Sequence, residues 1–216
     1  MSTFDLIRKK CAVCGTEQET AELMSTNAFG APDLDMRPPE MQRSTMHLWA
    51  QECPSCGYVA ADIEDPCPVD PAFLQSEEYR SCGGMTLSSE LAARFFRQYL
   101  ILIRSGRNEE AFHALRHAAW ACDDEEDKES AKRIRKLALK IADTFRDSLE
   151  PGEAEALELI KADLMRRAGE FAEVYNTYAP MILDDPRMNA VLSFQIHKAG
   201  ECDDVCYTLD DVPDFP

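Results

Sequence analysis

One five-residue turn occurs twice in the chain, as Cys11-Ala12-Val13-Cys14-Gly15 and as Cys53-Pro54-Ser55-Cys56-Gly57. In such a turn two thiolates face one ion while backbone N–H groups point at the sulfurs, and the closing glycine supplies the positive φ that the tight bend needs. Zinc takes four sulfurs tetrahedrally at about 2.3 Å. The two copies therefore predict one structural zinc ion on Cys11, Cys14, Cys53 and Cys56, with no coordination position left for water or substrate. Between Cys14 and Cys53 lie 38 residues, more than the roughly 15–20 of a compact four-cysteine site, so part of this stretch reads as an insertion. The competing readings are two unrelated turns or a thioredoxin-like redox pair. A redox pair normally occurs once, between a strand and a helix of a larger α/β sheet, and nothing in the sequence supplies that sheet.

Phe4 to Lys10 and Met46 to Glu52 carry apolar residues at alternate positions and run directly into the two cysteine pairs, so both are expected to be short strands. Between them, residues 27–45 (NAFGAPDLDMRPPEMQRST) have the proline, glycine, asparagine and aspartate content of an ordered loop. Residues 1–64 then form a small zinc-ribbon-like β module with an inserted loop at 27–45. Residues 65–84, with Pro66, Pro68 and Pro71, read as a linker carrying a short helix around Pro71 to Tyr79. Residues 85–216 form the helical part.

From Ser88 the pattern is almost continuously amphipathic. Ser88 or Ser89 caps a first helix, and Ser105-Gly106-Arg107-Asn108 ends it. Further helices are expected at 109–122, 128–149, 153–168, 170–182, 186–198 and 202–209, seven in all. The third should bury Ile134, Leu137, Ala138, Ile141 and Phe145. Three turns share a pattern, at Gly106, Gly169 and Gly200, with glycines 63 and 31 residues apart. That is close to two units and one unit of a repeat in the low thirties.

The chain carries 40 acids against 23 bases, a formal charge of −17, which repels nucleic-acid phosphates unless a local basic patch overrides it. The basic residues of the third predicted helix, Lys128, Lys132, Arg133, Arg135, Lys136 and Lys140, are expected mostly to form a solvated face. No stretch is long and apolar enough to cross a bilayer, and MSTFDLIRKK lacks the apolar core of a secretory signal. Residence in the cytoplasm is expected, with the nine cysteines as thiols or metal thiolates rather than disulfides.

Other constellations carry less chemistry. Cys67, Cys82 and Cys122 occur singly. Cys202 and Cys206 are four apart on a predicted helix without companion ligands for a second metal. Glu110, His113 and His117 resemble half of a carboxylate-bridged metal site, of which only one copy is present, and are expected to be exposed polar positions. Asp33, Asp35, Arg37, Glu40 and Arg43 surround Pro38-Pro39 and form either a recognition or catalytic surface or a loop held by its own ion pairs. No Ser/His/Asp grouping, phosphate-cradling loop or His-Glu-x-x-His motif is legible.

CAVCG, MHLWAQECPSCGYVAADI and RRAGEFAEVY together resemble a bacterial family of unknown function that joins zinc-ribbon knuckles to tetratricopeptide-like helices. The specific part is the second knuckle, Cys53 to Tyr58. Gly106, Ala111, Leu115 and Ala118 fall at the turn and packing positions of a tetratricopeptide unit, whereas Val174 and Val205 stand where alanine is usual, so the packing is expected to be irregular. The resemblance implies an α+β, mostly α protein: a zinc-ribbon-like module followed by an irregular tetratricopeptide-like helical-hairpin array of about seven helices. It implies no reaction. The function expected from these readings is a zinc-binding adaptor with a protein partner; the alternatives are an enzyme using loop 33–43 and a nucleic-acid-binding ribbon.

Overall fold

The computed structural model describes residues 2–213. β1 (Thr3–Lys10) pairs antiparallel with β2 (Glu17–Ser25), in a register running from Lys10 opposite Glu17 to Phe4 opposite Leu23. β3 (Gln51–Glu52) pairs antiparallel with β4 (Val59–Ala60). Each cysteine turn is thus the tip of its own hairpin. β2 escapes the sequence reading because its residues alternate between charged and small types, with Glu17, Glu19, Met24 and Ser25 exposed; its strand state comes from the pairing with β1.

The expected strand from Met46 to Glu52 is corrected. Residues Arg43–Leu48 form a 3₁₀ helix, and only Gln51 and Glu52 pair as strand. The buried apolar residues here are Met46 and Ala50, four apart, while Leu48 is half-buried. That is a helical spacing, locked by the Trp49 indole donating to Thr45 Oγ1 at 3.0 Å.

Within residues 65–84, α1 (Glu77–Arg80) starts at a Ser76 cap whose hydroxyl accepts from the Tyr79 N–H. Phe73, Leu74, Tyr79 and Cys82 of this segment are buried, and Tyr79 donates to the carbonyl of Gly57 at 2.6 Å. One apolar cluster runs without interruption from Cys11, Cys53 and Tyr58 through Tyr79 to Phe95, Phe112, Trp120 and Ile134. The cysteine module and the first helices therefore share a core.

The helical part comprises α2 (Glu90–Arg104), α3 (Asn108–Asp124), α4 (Lys128–Ala142), α5 (Pro151–Arg167), α6 (Phe171–Tyr178) and α7 (Pro186–Gly200). Consecutive helices pack on one another, and α7 also packs on α5. The chain is mostly helical, with its strands confined to the N-terminal module among the described residues. Two predicted helices are corrected. α4 ends at Ala142 rather than Leu149: the Thr144 hydroxyl donates to the carbonyl of Ile141 and accepts from Asn108, and Phe145 turns inward against Phe112. The expected helix at 202–209 is absent, and only a 3₁₀ turn begins at its end, over Leu209–Asp211; Arg166 Nη1 holds the carbonyls of Asp203 and Val205, each at 2.8 Å, in an extended course.

The glycine repeat is corrected in register. Gly106 and Gly169 adopt left-handed φ values of 77° and 79°, but in the third turn that position falls two residues beyond Gly200, at Cys202 with φ 56°. In each case the following N–H reaches back five residues, from Arg107 to Leu102, from Glu170 to Met165 and from Asp203 to Lys198. Glu126, at φ 58°, closes α3 in the same way.

The loop between the two cysteine turns reaches α7 and the segment after it. Leu34 N–H donates to the carbonyl of Tyr207 and Leu209 N–H to that of Pro32, while Leu34 packs with Val191, Phe194 and Val212 in a small core of its own.

Candidate functional site

The four cysteine sulfurs lie within 4.8 Å of one another. Cys11 Sγ is 3.7 Å from Cys56 Sγ, and Cys14 Sγ is 3.6 Å from Cys53 Sγ. A tetrahedron of sulfurs about 2.3 Å from its centre has edges of about 3.8 Å, so the spacing suits one ion. The two turns match in their hydrogen bonds: Gly15 N–H donates to Cys11 O and Gly57 N–H to Cys53 O, while Cys11 N–H meets Thr16 O and Cys53 N–H meets Tyr58 O, all at 2.9 Å. Gly15 and Gly57 take φ values of 74° and 75°, which a Cβ would strain. Cys11 and Cys53 are buried and Cys14 is exposed. Hydrogen bonding to Thr16 lowers the Cys14 thiol to about 6, whereas burial raises Cys53 and Cys56. The cluster could hold one metal ion.

The charged loop forms a second site. Asp35 is fully buried and accepts from the Trp120 indole at 2.7 Å, from Arg167 Nη1 at 3.1 Å and from the Arg37 N–H at 3.3 Å. Burial opposes its ionisation, but Arg167, Arg116, Arg135 and the Trp120 N–H outweigh burial and hold it below the usual carboxylate range. Asp33 pairs with Arg43 and accepts from the Cys206 thiol at 3.3 Å; burial raises its pKa. Arg37 makes a forked pair with Asp124, at 2.8 and 2.6 Å. Glu40 is exposed and accepts from Ser44 at 2.6 Å. Loop ion pairs exist, then, but the loop's carboxylate anchor is fixed by α3 and α5.

That anchoring extends into a network. Arg167 also meets Asp123 at 2.6 Å, Arg135 pairs with Asp123, and Arg166 pairs with Asp163 at 2.8 Å. Arg116 donates to the carbonyl of Asp35 and lies 3.0 Å from His113 Nδ1. Arg135 is 2% exposed, which takes it out of the solvated basic face expected for α4. Arg116, Trp120, Asp163, Arg166 and Arg167 were not candidates in the sequence. The available signal was charge inside an apolar stripe: Arg116 sits between Leu115 and Ala118, both fully buried.

A cavity of about 530 Å³ joins the loop to α3, bounded by Met36, Pro38 and Pro39 on one side and by His113, Arg116 and Trp120 on the other, with Trp49 and His117 between. His117 lies edge-on to Trp49 and Phe95 and tilted on Trp120, with ring centroids 5.1 Å apart in each case. It is half-buried, against the expectation of an exposed position; His113 leaves 46% of its side chain in solvent with its ring packed on Phe112, and Glu110 is tied to Arg107. Burial lowers His117 to about 3 and, with Arg116, lowers His113 to about 4, so both are neutral at pH 7.

The remaining cysteines serve packing or local bonds. Cys82 and Cys122 are buried, and Cys67 Sγ points to the carbonyl of Val69. Cys202 occupies a turn while Cys206 donates to Asp33, so the two share no helix face. No described helix is long and apolar enough to cross a membrane. Comparison with models of protein families, with curated proteins and with solved structures finds no match for this chain.

Proposed function

We propose that Cys11, Cys14, Cys53 and Cys56 hold one structural zinc ion, and that the chain acts as a zinc-stabilised adaptor whose helices bind a protein partner. The observation that carries the metal reading is the spacing of four sulfurs at tetrahedral edges, with the two backbone turns in matching conformations. Four sulfur ligands leave no open position, which suits a structural role. Site formation supplies an apparent free energy of roughly 10–16 kcal/mol, ample for a module whose two sheets have two strands each. Elemental analysis should find about one zinc per chain, and Cys53→Ser should abolish it while Cys67→Ser leaves it intact. Iron, or no metal at all, would reject the zinc assignment.

The adaptor reading draws on an apolar groove of about 290 Å³ between α5 and α7, lined by Leu159, Ile160, Met188 and Val191, with Leu34 and Met36 of the inserted loop at one side. Asp185 lines it, paired at 3.0 Å with Arg187, which lines it too, and Asp184 and Asp210 are exposed beside it in sequence and leave the rim acidic on balance. A segment with one bulky apolar side chain and basic flanks fits such an acidic rim on a chain of charge −17. Affinity capture with the native chain and with Met188→Glu tests this: a partner retained by the first and lost by the second supports the adaptor. Capture that ignores the substitution, or that a nuclease abolishes, refutes it.

The cavity between the loop and α3 favours a second reading, an enzyme or small-molecule receptor using loop 33–43. Asp33, Asp35 and Glu40 do not line that cavity, so a catalytic use of those carboxylates has no geometric support. Its walls suit binding.

A further inference from the structure

Besides Arg37, whose partner is Asp124, four arginines, Arg116, Arg135, Arg166 and Arg167, are each at most 7% exposed around Asp35. Three have carboxylate partners: Arg135 on Asp123, Arg166 on Asp163, and Arg167 on Asp35 and Asp123. Arg116 has none within ion-pair distance among the described residues. Its contacts are the carbonyl of Asp35, His113 Nδ1 at 3.0 Å, and the faces of Phe112 and Trp120 at 5.5 and 5.1 Å. Its Nε is buried without an acceptor. Carbonyls, neutral imidazoles and ring faces are dipoles or quadrupoles and cancel no net charge. A buried cation without an anion is costly, and burial lowers the pKa of this guanidinium accordingly. The anions that act on it, Asp35 and Asp163, are already engaged by Arg167 and Arg166.

Arg116 is also the one arginine lining the 530 Å³ cavity, whose walls include Trp49, Trp120, His117 and the rings of Pro38 and Pro39, with Gln42 and His113 as further polar groups. The volume lies in the range of small-molecule pockets, and the walls combine flat rings with a few polar groups, of which Arg116 alone is charged. No carboxylate lines the cavity to repel an anion. We infer that this cavity binds a small organic acid, with its carboxylate on Arg116 and its flat apolar body against Trp49, His117 and the two prolines. The site is separate from the metal cluster, and Met36 is the one residue it shares with the groove between α5 and α7.

The only two tryptophans in the chain, Trp49 and Trp120, both line the cavity, so tryptophan emission reports on it alone. The probes are benzoate, phenylacetate and cinnamate, each titrated into the full-length protein beside its neutral amide, with ligand-observed NMR as a second readout. A charge-assisted hydrogen bond to a buried guanidinium predicts that at least one acid binds about tenfold or more tightly than its amide. Arg116→Gln should bring the acid down to the affinity of the amide. Because Arg116 also holds the Asp35 carbonyl, Met36→Asp supplies a variant outside the buried network. Met36 is half-exposed at the cavity edge with φ 66°, a conformation aspartate tolerates. The new carboxylate should weaken the acid about tenfold and leave the amide unchanged. Equal binding of acid and amide throughout the panel, no binding below about 10 mM, or an acid preference that survives Met36→Asp would overturn the inference.

Discussion

The indole N–H of Trp120 donates to Asp35 Oδ2 at 2.7 Å, across 85 residues of chain. Through this contact and Arg167, a loop inserted between two cysteine turns is bolted to α3 and α5. Asp35→Asn keeps the shape but leaves Arg167 with Asp123 alone as a close anion and removes the nearby negative charge that acts on Arg116. The expected cost is about 3–5 kcal/mol, measured by denaturant unfolding, and Asp33→Asn, whose raised pKa marks a carboxylate already penalised by burial, should cost less.

Trp120→Phe isolates the indole bond, since a phenyl ring keeps much of the packing against His117. Loss of one hydrogen bond to a buried carboxylate should destabilise the fold by roughly 1.5–3 kcal/mol. In the background of Asp35→Asn the same substitution should cost clearly less, because the two residues act as one unit. A double-mutant cycle measures the difference.

Acid should weaken the fold in two stages. His117 and His113 have pKa values lowered to about 3 and about 4, so between those values and the unfolded value near 6.5 the unfolded chain binds more protons. Their contribution is complete above pH 6.5 and declines as pH falls through that window. Asp35, also lowered, contributes above its unfolded value near 3.9 and loses its contribution as pH falls through its native value. Unfolding free energy should drop by about 1–2 kcal/mol from pH 6.5 to 5, nearly all of it from His117 because solvent screens the half-exposed His113, and His117→Phe should remove most of that slope.

Because Cys11 and Cys53 belong to the same apolar cluster as Phe95 and Trp120, metal removal should not melt the N-terminal module alone. A strong chelator is expected to lower a single calorimetric transition of the whole chain. Two separate transitions, with only the first metal-sensitive, would contradict that coupling.

The left-handed turn positions make opposite predictions for two residues. Gly169→Ala places a Cβ at φ 79° and should destabilise by about 1 kcal/mol. Cys202→Gly relieves the same conformation at φ 56° and should stabilise by up to about 1 kcal/mol. Thermal midpoints of the two variants, compared with the parent, test the sign of each.

Several elements were legible because their signals are local. The cysteine turns carry ligand type, spacing and glycine in five residues each, and the helix starts at Ser89 and Pro186 follow from capping chemistry. β2 and the 3₁₀ turn before Trp49 were not legible: one depends on its partner strand and the other on which of Met46, Leu48 and Ala50 face the core. The turn at Gly200 misled for a related reason. Glycine permits a left-handed conformation without requiring it, and the chain uses Cys202 instead.

By itself, the sequence determined a mostly helical chain with one four-cysteine cluster near its N-terminus, since those features rest on periodicity and on residue types within a few positions of each other. Only the tertiary structure decided that Asp35 is a buried anchor rather than a solvated loop charge, and that Arg116 faces a cavity without a carboxylate of its own. The fate of a charge is set by what surrounds it. Here the surroundings arrive from α3, α4 and α5, too distant along the chain for any pattern in the loop to announce them.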